Sequence, residues 1–131
     1  MIGLDTNVIV RYFVQDDPIQ SPRATHLLEH VLTAEDPGFI SVVVVAEIAW
    51  VLERAYRLKD REIAAAIEHM LQSEVLAIEN EQQVFAAMIA LKEGHGAFAD
   101  ALIGALAASA GFSHTLTFDR QASRLRGFAL A

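Results

Sequence analysis

Ser41-Val42-Val43-Val44-Val45-Ala46-Glu47-Ile48-Ala49-Trp50-Val51-Leu52-Glu53-Arg54-Ala55-Tyr56 is the stretch on which the fold turns. Four successive valines favour a strand by propensity. Ala46, Glu47, Ile48, Ala49, Leu52 and Glu53 favour a helix, and Ser41 is placed to cap it. Length decides the matter, because Val42 to Tyr56 is too long for a typical strand. A helix buried nearly all round is therefore expected here.

With that stretch helical, short apolar runs alternate with longer helix-like segments along the chain. This is the pattern of an α/β domain with a mainly parallel sheet and helices on both faces. Ile2 to Leu4, Phe39-Ile40, Val75 to Ile78 and Thr115 to Phe118 read as strands, with Phe128 to Leu130 as a fifth. Between them, Asn7 to Val14 reads as helix and stops at Asp16-Asp17-Pro18. Ser21-Pro22 reads as a helix start, with Ser21 as N-cap and Pro22 at the first helical position. Asp60 and Asn80 are expected to cap two further helices, the second stopping at Gly94-His95-Gly96. Phe98 to Ala110 is a small-residue helix closed by Gly111.

The 131 residues suit one domain spanning 1–131. A hydrophobic share of 53% against 21% charged residues excludes disorder. The absence of cysteine excludes a disulfide scaffold, thiolate metal sites and a cysteine nucleophile. Met1-Ile2-Gly3-Leu4-Asp5 shows no signal-peptide pattern, and no apolar run approaches the ~18 residues of a membrane span. A cytoplasmic protein without a membrane partner is expected. The net charge of −7 speaks against bulk nucleic-acid binding through a basic surface.

Four acids stand out by their surroundings. Asp5 follows the first strand and Asp119 follows the fourth. Glu47 is the only charge between Phe39 and Leu52, and Asp100 the only one between Phe98 and Ser113. An ionised carboxylate in an apolar setting costs several kcal/mol unless it is paired, hydrogen-bonded or metal-bound. Taken singly, three of them have a bland explanation: Asp5 could cap the helix near Asn7, Asp100 could stabilise a helix's first turn, and Asp119 could cap a short turn. Glu47, in mid-helix, has none. In an open parallel sheet, ligands gather beyond the carboxyl ends of the strands, where all four could meet. Four hard oxygen donors without cysteine suit Mg²⁺ or Mn²⁺.

Asp5-Thr6-Asn7 after an opening strand, Val45-Ala46-Glu47, Ala99-Asp100-Ala101-Leu102-Ile103 and Thr117-Phe118-Asp119-Arg120 together resemble the PIN domain, and more narrowly the VapC-type toxins of bacterial toxin–antitoxin pairs. The resemblance covers almost the whole chain. It implies a three-layer fold on a five-stranded parallel sheet, a metal-dependent endoribonuclease, inhibition by a cognate antitoxin and often a homodimer. By the same resemblance, Asp5, Glu47, Asp100 and Asp119 are the catalytic acids that hold one or two Mg²⁺ or Mn²⁺ ions. Thr6, Asn7 and Thr117 support them, and Arg120 could meet a phosphate. Arg124-Leu125-Arg126-Gly127 departs from relatives, which often place proline before the glycine.

The chemistry fits independently. Hydrolysis of an RNA phosphodiester needs an activated water and stabilisation of developing charge, and divalent ions supply both. A 5′-phosphate product is expected. A haloacid-dehalogenase-like phosphatase is a rival, but Asn7 stands where its second Asp belongs and no Lys follows Lys92. A non-catalytic PIN-like binding module, its acids anchoring a basic partner, is the other. The five histidines form no metal-ligand spacing, no Gly-x-Ser-x-Gly elbow is present, and Trp50 reads as core or interface. Asp60 to Asp100 carries eight acids against two bases, whereas Phe112 to Ala131 carries three Arg against one Asp. An acidic total is thus compatible with nucleic acid if bound cations occupy the acids.

Overall fold

The structure, a computed structural model, describes residues 1–131. The decisive stretch is a helix, α3 (Val42–Arg54). Ser41 caps it by accepting the Val44 N–H at 3.2 Å, and Glu79 accepts the Val42 N–H at 2.9 Å. Both satisfy amide groups that a helix start leaves without partners. The helix is not buried all round. Val45, Ile48, Ala49 and Leu52 are buried, whereas Val43 and Trp50 are 72% and 58% exposed. The valine run is thus split by helical periodicity between an inner and an outer face.

Strands β1 (Ile2–Gly3), β2 (Gly38–Ile40) and β3 (Leu76–Ile78) form one parallel sheet in that order. Ile2 lies opposite Gly38, which in turn lies opposite Leu76. Strands β4 (Thr115–Thr117) and β5 (Phe128–Leu130) pair with each other, also parallel, and form a separate two-stranded sheet. The expected single five-stranded sheet is therefore not formed. The strands are only two or three residues long. The β4–β5 pair instead docks on a helix: the Phe128 ring occupies the space that a side chain at Gly104 would fill.

Helices α1 (Thr6–Phe13), α2 (Gln20–His26), α4 (Asp60–Gln72), α5 (Glu81–Lys92) and α6 (Phe98–Ser109) complete the chain, with a π-helical turn at Leu27–Val31 and a 3₁₀ turn at Ala122–Arg124. One apolar core joins Ile9 of α1, Ile40 of β2, Ile48 and Leu52 of α3, Ile67 of α4 and Met88 of α5. Helix boundaries correct two caps read from sequence, Asp60 and Ser21. Asp60 is the first residue of α4 rather than its cap, and Glu62 closes the start by accepting the Lys59 N–H. Asn80 holds the cap position of α5 in a left-handed conformation, with no capping bond from its side chain.

Ser21 is not the cap of α2. It is buried inside the helix and its hydroxyl donates to the Val14 carbonyl at 3.3 Å. Ile19 holds the cap position, and the Asp17 carboxylate just upstream accepts the N–H groups of Gln20 at 2.7 Å and Ile19 at 3.0 Å. The Gln20 amide, then the Ile19 amide, hold the Asp17 carboxyl below its ordinary pKa, assisted by Arg11. A carboxyl whose folded pKa is depressed stabilises the fold above its unfolded value and loses that contribution as pH falls through the folded one. Asp17→Asn keeps an accepting oxygen but not the charge. Urea midpoints measured from pH 7 to pH 3 are expected to fall less steeply below about pH 4 in the variant than in the wild type.

Candidate functional site

Asp5 leaves the end of β1 and stands at the N-cap of α1, accepting the Thr6 N–H at 2.8 Å. The Thr6 hydroxyl donates to Oε1 of Glu47, across 41 residues of sequence. Thr6, which is buried, therefore ties both carboxylates: its amide holds one and its hydroxyl the other. Asp5, Thr6, Asn7 and Glu47 line one cleft of about 400 Å³, together with Arg11 and Tyr56. The second oxygens of Asp5 and Glu47 accept no hydrogen bond from the protein.

The other two acids lie apart from this pair. Asp100 sits in the first turn of α6, half-buried, with no hydrogen-bonded partner. Asp119 is exposed; its Oδ1 accepts the N–H groups of Gln121 at 2.8 Å and Ala122 at 3.2 Å and so caps the 3₁₀ turn. Thr117 serves that turn too, its hydroxyl accepting the Asp119 N–H at 3.1 Å. Arg120 is exposed and makes no ion pair. The segments bearing Glu47, Asp100 and Asp119 nevertheless converge. A hollow of about 360 Å³ is lined by Ala46, Ala99 and Gln121, each one or two residues from one of those acids. No three acidic or histidine side chains gather closely enough to share one ion.

The PIN domain model matches residues 2–127, nearly the full chain. The chain belongs to the PIN domain family. PIN domains are generally nucleases, typically metal-dependent, so this is a nuclease-type fold acting on nucleic acid. No curated protein matches the chain. No helix is long and apolar enough to cross a membrane.

Two residues of this PIN domain's cleft escape a reading of its sequence. Arg11 donates through Nε to Gln20 at 2.9 Å and through Nη1 to Asp16 at 3.2 Å and the Tyr56 hydroxyl at 3.1 Å. Tyr56 donates in turn to Asp16 at 3.0 Å. The spacing of Arg11, four residues beyond Asn7 on one helix, puts both on the same face and is the signal that could have found it. The donor chemistry of the cleft fits a hard cation. Mg²⁺ is commonly held by one or two carboxylates and completes its shell with water and substrate phosphate, and Asp5 and Glu47 each present one unoccupied oxygen to the cleft.

Proposed function

We propose that this PIN domain is an Mg²⁺- or Mn²⁺-dependent endoribonuclease, the toxin of a VapC-type pair held in check by a cognate antitoxin. The observation that carries the reading is the clasp of Thr6 on both Asp5 and Glu47 in one open cleft. A polar side chain this buried, joining two carboxylates far apart in sequence, fixes charges that would otherwise repel. Asp5 and Glu47 would hold the ion through their unoccupied oxygens. Asp100 and Asp119, on segments that reach the adjacent hollow, would complete the acidic set with substrate present. When bound, the ion supplies the activated water and the charge stabilisation that phosphodiester hydrolysis needs.

The chain's own residues carry the rest. Thr6 keeps Glu47 oriented, Thr117 and the 3₁₀ turn orient Asp119 within its own segment, and Asn7 faces the cleft beside Asp5. Arg120, free of ion pairs, is placed to meet a phosphate next to Asp119. The exposed apolar side chains Val43, Trp50, Ile103 and Phe112 suit a homodimer interface or the antitoxin contact. Incubation of the purified chain with RNA is expected to give cleavage with Mg²⁺ or Mn²⁺ and none with EDTA. Absence of turnover with both ions would leave a binding module instead, and phosphate release from small phosphoesters without RNA cleavage would revive the phosphatase.

A further inference from the structure

Beside the acidic cleft lies a second hollow, of about 300 Å³, between α1 and α2. The two share Asn7 and Arg11 as a common wall. Its charged lining residues are Arg11 and Arg23 alone, in a chain of net charge −7. Arg23 is exposed and makes no ion pair. Arg11 is pinned by Asp16, Tyr56 and Gln20 through Nε and Nη1, which leaves the two Nη2 hydrogens of its five donors without a protein partner. Gln20 spends its amide oxygen on Arg11 and keeps its NH₂ free, and Asn7 keeps both of its amide groups free. Val8 and Leu27 provide an apolar floor.

We propose that this hollow is a nucleotide subsite, holding one nucleotide of single-stranded RNA next to the bond positioned over Asp5 and Glu47. The inference rests on the endoribonuclease reading and names how the strand is gripped. Each part of a nucleotide meets matching chemistry. The face of a base lies on the floor of Val8 and Leu27, its edge meets the amides of Gln20 and Asn7, and its phosphate meets Arg11 and Arg23. A lone phosphate would have no use for the apolar floor, and a purely apolar ligand none for the arginines. Continuity through Asn7 and Arg11 sets the strand's course from the acidic cleft onto α2. Arg11, already oriented by three partners, pays little ordering entropy when the phosphate arrives.

The test is fluorescence anisotropy of a short labelled single-stranded oligoribonucleotide, with Ca²⁺ in place of Mg²⁺ to limit cutting. Arg23→Gln removes an exposed charge that the fold does not use; Arg61→Gln, on the exposed side of α4, removes the same charge elsewhere. Arg23→Gln is expected to weaken binding about tenfold and to lower the logarithmic salt slope by about 0.7, as for one lost contact to a single-strand phosphate. Arg61→Gln should stay within about twofold of wild type. An abasic version of the strand should bind the wild type more weakly than its parent. Equal effects of the two arginine variants, or equal affinity for the abasic strand, would overturn the subsite. So would a loss in Arg23→Gln confined to a glutamate-rich peptide. Cleavage by the wild type with Mg²⁺ is scored separately: cutting with unaltered Arg23→Gln binding removes the subsite alone, and weakened binding without cutting removes the nuclease reading alone.

Discussion

Asp5→Asn is expected to lower the rate of RNA cleavage by about 10³-fold or more, the scale on which loss of an essential catalytic charge is measured. The substitution is nearly isosteric. The amide oxygen of Asn can still accept the Thr6 N–H, so the start of α1 keeps its cap. The loss is the negative charge that draws a hard cation to the cleft, together with one oxygen donor. Circular dichroism and the urea midpoint should therefore stay near wild type while turnover collapses. Calorimetric titration with Mn²⁺ should show weaker binding in the variant. Glu47→Gln is the companion, since its amide oxygen can still accept from Thr6. Undiminished cleavage by purified Asp5→Asn would sink the assignment of this cleft as the reaction centre.

Leu52→Ala is expected to carry the largest stability cost, about 2–5 kcal/mol. Leu52 is fully buried on the inner face of α3, in the same core as Ile48, Ile67 and Met88. Truncation removes its transfer energy and leaves a cavity into which the surrounding core relaxes only partly. Against a total stability of about 5–15 kcal/mol, this is a large share. Because Ile48, next to Glu47, shares that core, catalytic loss should accompany melting but not precede it. A urea midpoint within experimental error of wild type would show that α3 is not the keystone of the core. Trp50→Ala, on the outer face of the same helix, should cost far less in a monomer.

The helical reading of Val42 onward was legible because a fifteen-residue run outlasts any ordinary strand, and Ser41 caps it where expected. The pattern also located Asp5 at a strand end and Glu47 within α3, the two acids that meet. The resemblance sets Thr6 beside the acids, but its bond to Glu47 could not be read, since a hydroxyl reaching across 41 residues leaves no local signature. Ser21 misled because Ser-Pro resembles a helix start, whereas the Asp17 carboxylate captured the first amides from further upstream. The sheet was overdrawn for a related reason. Apolar runs report strands but not their partners, and here β4 and β5 pair with each other while Phe128 seats on Gly104.

That split sheet has a dynamic consequence. Two three-residue strands, one bearing a 60% exposed Leu116 and followed by an 89% exposed Phe118, hold few apolar contacts against opening. In native-state hydrogen exchange, the amides of residues 115–117 and 128–130 should exchange through a low-energy local opening, ahead of Ile40 and the α3 amides, which wait for global unfolding. Asp119 rides on that yielding unit while Asp5 and Glu47 stand on the slow-exchanging one. A cation or RNA strand that engages all three would hold the two units together, and would announce itself as new amide protection at the carboxyl end of the chain.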